Sequence, residues 1–386
     1  MPLADLLRLP FFEPRHREHA IALDTWAATN LAGLLENDEA DPPGTTRRLV
    51  AALAQGGWLD ASVSAAPGAA PDSLTLCLTR DILARYGALA DFAFAMQGLG
   101  SAPISLFGNA AQRERYLPDV ARGRKIAAFA LTEPDAGSDV ASLSTCARRD
   151  GDHYVLDGTK TFISNAGIAD FHVVFARTGV SGSKGLSAFV VDANTAGMDC
   201  SKQIPVISPH PIGFVRLANC RVPAENRLGE EGQGFAIAMG TLDVFRVSVG
   251  AAALGLARRA FAEALSRVKT REVFGSKLSG FQITQAKLAD MAVAIDASAL
   301  LVYRAAWTKE ALGGRTTREA SMAKLFATEQ AQFVIDQAVQ LWGGLGVVNG
   351  IPVERLYRDI RALRIYEGTT EIQKLVIAAQ YLKAER

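Results

Sequence analysis

Apolar positions recur at helical spacing over residues 6–123, in Ala/Leu-rich stretches broken at Asp41-Pro42-Pro43-Gly44 and at Ala66-Pro67-Gly68. Asn109-Ala110-Ala111-Gln112 has the spacing of a capping box, and Pro118 predicts the end of the short helix it opens. Over 126–228 the texture changes to short apolar runs between turns. His172-Val173-Val174-Phe175-Ala176, Ser187-Ala188-Phe189-Val190-Val191 and Gly213-Phe214-Val215-Arg216-Leu217 read as well-buried strands. Asp150-Gly151 and Asp157-Gly158 are hairpin signals. From 234 onward the helical period returns, near 236–270, 281–312, 317–342 and 370–384. Turns at Phe274-Gly275, Gly313-Gly314 and Gly343-Gly344-Leu345-Gly346 separate these segments.

The strands are joined by loops rather than crossover helices, which predicts a small antiparallel barrel or sandwich and not a doubly wound sheet. The expected architecture is therefore α+β: an N-terminal α-helical domain over 1–125, a middle antiparallel β-barrel or sandwich over 126–233, and a C-terminal four-helix bundle over 234–386.

Composition narrows the function. The 386 residues are 49% hydrophobic and 21% charged, as in ordinary globular proteins. The formal net charge is +1, with no basic stripe, which argues against a nucleic-acid surface. Cys77, Cys146, Cys200 and Cys220 are scattered and suit buried thiols in a reducing compartment. His16 and His19 share a helix face but have no third ligand near in sequence, so they read as solvated residues and no metal is expected. The longest apolar stretches do not predict a membrane span, and a cytoplasmic location is the default expectation.

Candidate chemistry sits near the end of the chain. In Arg364-Ile365-Tyr366-Glu367-Gly368-Thr369-Thr370-Glu371-Ile372-Gln373, a carboxylate lies between an apolar run and a helix start, which Thr370-x-x-Gln373 marks as a capping box. Partial dehydration there would raise the Glu367 pKa and make it a stronger base; the alternative is a surface-loop acid. Ala130-Leu131-Thr132-Glu133-Pro134-Asp135-Ala136-Gly137-Ser138-Asp139 is a second informative segment, able to present N–H groups and hydroxyls to a polar ring or phosphate. No G-x-G-x-x-G follows a strand, so a Rossmann site is not supported.

Seven segments, in order and at compatible spacing, resemble the acyl-CoA dehydrogenase family of flavoproteins. They are Leu131 to Asp139, Ile163-Ser164-Asn165-Ala166-Gly167, Asn226-Arg227-Leu228-Gly229 through Phe235, Arg271-Glu272-Val273-Phe274-Gly275, Phe281-Gln282, Gln340-Leu341-Trp342-Gly343-Gly344 and Ile365-Tyr366-Glu367-Gly368-Thr369. The resemblance implies FAD as cofactor. Leu131, Thr132 and Ser138 match positions lining the flavin and the thioester end of the substrate, and Phe162 and Ser164 match the segment covering the isoalloxazine, where Trp is commoner than Phe162. Arg271, Phe274 and Gln282 match residues reaching the adenosine-diphosphate half of FAD from a neighbouring subunit. Gln340, Gly344, Thr369 and Glu371 match others near that half. Asp243 and Arg246 match the coenzyme A positions, although their i, i+3 spacing also suits a local ion pair. Tyr366 and Gly368 flank the base at the substrate.

The implied reaction is α,β-dehydrogenation of an acyl-CoA, with Glu367 removing the α-proton, the flavin accepting the β-hydride, and an electron-transferring flavoprotein as acceptor. A homotetramer, or a homodimer, is the implied assembly. Some relatives carry the base just before the position of Arg246, but Phe245 there cannot take a proton. Residues 88–100 contain no Lys or Arg, and Asp91 would repel a terminal carboxylate. Phe92, Phe94 and Met96 either line the acyl pocket or belong to the core. A non-catalytic flavin- or CoA-binding subunit is the alternative function.

Overall fold

The computed structural model describes residues 3–64 and 68–384. Six helices come first: α1 (Leu3–Leu6), α2 (Pro14–Leu34), α3 (Pro42–Gln55), α4 (Ser73–Tyr86), α5 (Ala88–Phe107) and α6 (Ala110–Ala121). Their starts are chemically marked. Asp41 accepts a hydrogen bond from the Gly44 N–H, Asp72 accepts from the Thr75 N–H, and Asn109 and Gln112 form the expected reciprocal box. Pro118 does not end α6 but lies inside it, and the chain turns at Gly123, with φ +65°. Ala66 and Pro67 of the second expected break lie outside the described residues.

Eight strands follow: β1 (Ala127–Ala130), β2 (Cys146–Asp150), β3 (His153–Ser164), β4 (Phe171–Arg177), β5 (Leu186–Asp192), β6 (Met198–Asp199), β7 (Ile212–Pro223) and β8 (Arg227–Leu228). They form one sheet in the order β6-β7-β3-β2-β4-β5-β8, with β1 beside β4. Most pairings are antiparallel, as expected, but β1 runs parallel to β4 and β2 meets β4 at one parallel position. Asp150-Gly151 makes the β2–β3 turn. Asp157-Gly158 does not turn the chain: it is a bulge within β3, where a side chain on Gly158 would strike Thr145.

The chain then enters α7 (Gly234–Thr270), a ribbon of β9 (Glu272–Val273) and β10 (Ser276–Lys277), α8 (Gln282–Leu312), α9 (Thr317–Trp342), α10 (Pro352–Leu363) and α11 (Thr370–Ala384). Helix α10 was not anticipated from the sequence. Its signals are Pro352 at the first turn and Val353, Leu356, Ile360 and Leu363 buried at helical spacing. By length and composition α7 is apolar enough to cross a membrane, and 78% of its most apolar window is buried within the fold.

Two compact units are present. One comprises Met1–Ala32, Asp72–Asp91 and Arg246–Arg386; the other comprises Gly33–Pro71 and Phe92–Phe245. In the second, Phe171, Val173, Phe175, Ala188 and Val190 form the apolar face of the sheet, with the Tyr116 and Phe171 rings 4.8 Å apart. In the first, α9 buries a stripe of Ala323, Ala327 and Ala331, and α7 passes close to α4. A Cβ at Gly255 would fall 2.2 Å from the Asp81 carbonyl oxygen, so only glycine permits that approach.

Two expectations about single residues fail. His16 is buried, with Nε2 3.2 Å from Asp72, and His19 lies 2.7 Å from the Thr79 hydroxyl, because both occupy the inward side of α2. Cys146 is exposed at the start of β2, whereas Cys77 and Cys220 are buried thiols.

Candidate active site

In the unit built on the sheet, the segment after β1 is tied down from beneath. Glu133 accepts hydrogen bonds from the Ser144 N–H and hydroxyl, at 2.6 and 2.8 Å, and from the Thr145 N–H at 2.9 Å. Lys160 donates to Glu133 at 2.8 Å and to the Leu131 carbonyl at 3.0 Å. Burial opposes the ionisation of Glu133, yet Lys160 and these donors outweigh it and hold its pKa down at about 2. Burial pushes Lys160 down to about 8. The Thr161 N–H donates to the Thr132 carbonyl at 2.9 Å, so Leu131 and Thr132 are fixed against β3.

The end of β3 is distorted in a way that exposes one ring. The register shifts between Lys160 and Ile163, and Phe162 adopts φ +54°, which leaves it 57% exposed. Asn165, at φ +64°, donates from its side chain to the Ala127 carbonyl at 3.0 Å. Ser164 is half-buried nearby in sequence, and Ser138 is exposed. Phe92 stacks on His210 with centroids 4.3 Å apart, and Phe94 is core. Phe245 is fully buried, and a Cβ on Gly98 would lie 2.7 Å from its ring, so an apolar side chain fills that position.

In the other unit, Glu367 sits in the turn between α10 and α11. It has φ +53° and is followed by Gly368 at φ +92°, so two successive left-handed residues bend the chain sharply. Lys324 donates to the Gly368 carbonyl at 2.7 Å, and the Gln373 side chain donates to the carbonyls of Glu367 and Gly368 at 3.0 and 3.1 Å. The anticipated Thr370–Gln373 box is therefore not the cap. The Thr369 hydroxyl accepts from the Ile372 N–H at 3.3 Å, while Thr370 donates to Glu329, which also binds Arg364. Gln373 is freed to hold the turn.

Glu367 as a residue is half-buried, but its Oε2 is shielded from solvent and makes no hydrogen bond among the described residues. Burial raises its pKa above the ordinary range, with Arg80, Arg246 and Lys324 working in the opposite direction and Asp91 adding to the rise. Lys324 is itself pushed down to about 8, by burial first, with Glu367 resisting. Arg80 is 3% exposed and forks onto Asp91, with Nε and Nη2 each 2.8 Å from a carboxylate oxygen, while Nη1 donates to the Ser248 hydroxyl at 3.0 Å. Asp91 is thus neutralised, which the isolated segment 88–100 did not reveal.

Arg80 and Lys324 were missed in the sequence. Both carried a usable signal: Lys324 interrupts the alanine stripe of α9, and Arg80 interrupts an apolar run on α4. Among the anticipated residues, Arg246 and Tyr366 join Glu367 and Gly368 in this cluster. Asp243 lies on the same helix as Arg246. Arg271, Gln282, Gln340, Gly344 and Glu371 are exposed, and Phe274 is 96% exposed at the tip of the β9–β10 ribbon, with φ +49°.

These features suit a flavin dinucleotide. An aromatic ring held outward by a bulge, with hydroxyls and rigid backbone beside it, fits a planar ring, and the exposed cation, amides and open glycine fit a diphosphate and its nucleoside. A carboxylate whose Oε2 is shielded and unpartnered among the described residues fits a base for a weakly acidic carbon. Residues suited to holding a flavin and a carboxylate suited to act as a base point to a flavin-dependent oxidoreductase.

Comparison with known proteins agrees. Family descriptions match over three ranges: acyl-CoA dehydrogenase N-terminal domain at 14–124, middle domain at 128–219 and C-terminal domain at 232–382. The mitochondrial short-chain specific acyl-CoA dehydrogenase of Mus musculus is 44% identical over 74% of this chain and 69% of its own length. The caffeyl-CoA reductase-Etf complex subunit CarC of Acetobacterium woodii is 39% identical over 82% of this chain and 84% of its own. Among solved structures, the acyl-CoA dehydrogenase of Bacillus anthracis complexed with FAD superposes with a TM-score of 0.89 at 32% identity, covering 96% of this chain and 67% of that one. The chain belongs to the acyl-CoA dehydrogenase family, whose members are FAD-dependent.

Proposed function

We propose that this enzyme converts a saturated acyl-CoA into its trans-2-enoyl-CoA, with Glu367 as the base and an electron-transferring flavoprotein as acceptor. The observation that carries this reading is the shielded, unpartnered Oε2 of Glu367. Its raised pKa brings it nearer that of an activated α-carbon, and the left-handed turn fixes where it points. FAD, when bound, supplies the acceptor for the hydride that leaves the β-carbon. The chain supplies the rest. Glu367 takes the α-proton, its own backbone N–H polarises the thioester oxygen, and the bonding electrons form the Cα–Cβ double bond. Arg80, Arg246 and Lys324 favour the ionised form of Glu367, the form able to take the proton.

The remaining assignments follow the same reading. Leu131, Thr132, Ser138, Phe162 and Ser164 border the flavin ring. Arg271, Phe274, Gln282, Gln340, Gly344, Thr369 and Glu371 meet its dinucleotide half across subunits of a homotetramer. Asp243 and Arg246 anchor coenzyme A. The relation to a subunit of an Etf complex supports the electron acceptor.

Anaerobic mixing of the FAD-loaded protein with a panel of acyl-CoAs tests the proposal. Bleaching of the oxidised flavin band by at least one thioester, lost in Glu367→Gln, is the expected result. A flavin that no acyl-CoA reduces would leave a non-catalytic binding subunit as the better reading.

A further inference from the structure

Apart from the candidate active site, the sheet unit holds a cavity of about 260 Å³ lined by Gly167, Ala169, His172, Ala193, Cys200 and Ser201. Most of its walls are small residues, so His172 and Cys200 give it its chemistry. His172 sits inside β4, paired with Ala128 of β1 on one side and Val191 of β5 on the other, and is 1% exposed. Cys200 directly follows β6 and is half-buried, with Sγ 3.8 Å from His172 Nε2. The fold holds this segment in place. The Gln203 side chain donates to the Cys200 carbonyl at 3.2 Å and to the Ala166 carbonyl at 3.0 Å, and a Cβ on Gly167 would fall 2.7 Å from that same nitrogen.

The pair is not a nucleophile with its base. Burial pushes the Cys200 thiol up to about 11 and the His172 imidazole down to about 4, so no thiolate–imidazolium pair forms. A neutral imidazole is the metal-binding form. Nδ1 of His172 is shielded from solvent and makes no hydrogen bond among the described residues, so it is free to carry the ring hydrogen while Nε2 turns its lone pair toward Sγ. The separation of the two donors matches a three-coordinate cation: bonds of about 2.3 Å to sulfur and about 2.0–2.1 Å to nitrogen, at about 120°, place them about 3.8 Å apart. A tetrahedral ion would need about 3.6 Å and a linear one about 4.3 Å.

Charge selects among cations. No third His, Cys, Asp or Glu joins the two among the described residues. One thiolate cancels a single positive charge, whereas a divalent ion would leave a net charge in a cavity walled by alanine and glycine. Sulfur as a ligand favours a soft ion. We propose that Cys200 and His172 form a binding site for a soft monovalent cation, copper(I), with its third position open to a small ligand in the cavity. On binding, a copper–sulfur bond replaces the S–H bond, the proton leaves to solvent, and no electron is transferred. The inference stands independently of the dehydrogenase reading.

The test titrates copper(I) anaerobically into the FAD-loaded protein against a chromophoric copper(I) chelator, in a Cys146→Ser background that removes the exposed thiol. One equivalent should bind, and Cys200→Ser should weaken it by about a hundredfold or more, since a ligand is lost outright. The Cys200→Ser protein should keep the circular dichroism and flavin content of its parent. Zinc(II) in about tenfold excess should not displace the copper. Copper K-edge absorption should show one sulfur and one imidazole nitrogen, which reads the ligands directly without altering the buried His172. Failure to bind an equivalent overturns the proposal, as does an affinity unchanged in Cys200→Ser or a shell with sulfur and no imidazole. Displacement by zinc(II) overturns the choice of a soft monovalent ion.

Discussion

The Gln373 side chain holds the backbone of Glu367, donating from Nε2 to the Glu367 carbonyl at 3.0 Å and to the Gly368 carbonyl at 3.1 Å. Glu367, the proposed base, is thus positioned through its main chain, from the first turn of the following helix. A Cβ at Gly368 would lie 2.4 Å from that nitrogen, at a φ of +92° that L side chains rarely adopt. Gly368→Ala should therefore displace Gln373 and tilt Glu367. Strain of roughly 1–3 kcal/mol in stability and a loss of about a hundredfold in kcat are expected. Urea unfolding and rapid-reaction flavin reduction, read side by side, check the two effects separately.

The acid limb of the rate profile should report Glu367. Only the ionised carboxylate accepts a proton, and its pKa is raised, so kcat/KM should fall with decreasing pH at values above the usual glutamate range. Lys324 is one of three cations that oppose the rise. Lys324→Met should therefore move the acid limb to still higher pH. A limb that stayed in place or moved downward would show that Lys324 does not act on the carboxylate.

The Lys160–Glu133 pair makes a different prediction. Lys160→Met leaves a buried carboxylate with its cation removed, which typically costs about 3–5 kcal/mol. It also frees the Leu131 carbonyl, so FAD occupancy should fall together with stability. The ratio of flavin to protein absorbance and the denaturation midpoint measure both. In the wild type, the depressed Glu133 pKa contributes stability that is complete above about 4.5 and is lost as pH falls toward about 2.

Asp81 anchors α4. It accepts from the Tyr303 hydroxyl at 2.8 Å and pairs with Arg258 at 3.2 Å, all three nearly inaccessible to water. Asp81→Ala should destabilise the protein by about 3 kcal/mol or more. Asp81→Asn should recover part of that by keeping the acceptor for Tyr303. Equal denaturation midpoints for the two variants would refute the role of the hydrogen bond.

Much of this was legible before the coordinates. The three-part order of helix, strand and helix followed from periodicity, and the box at Asn109 and Gln112 formed as its spacing required. What escaped depended on contacts distant in sequence. Gln373 had the right spacing for a cap, but its side chain found nearer carbonyls in the turn. Pro118 was tolerated inside α6 rather than ending it. Arg80 and Asp91 lie eleven positions apart on two helices, and no local pattern announces that their charges cancel. Lys324 breaks an alanine stripe, but only the fold sets its nitrogen against the Gly368 carbonyl, forty-four positions away.

Arg80 and Asp81 are adjacent on α4, yet they grip different partners: Arg80 holds Asp91 and Ser248, and Asp81 holds Tyr303 and Arg258. Rotation or sliding of α4 would break one set of bonds without repairing the other. The charges behind Glu367 are consequently locked in orientation before any substrate arrives. On the proposed mechanism, proton abstraction by Glu367 meets a field that is already set, with little reorganisation to wait for.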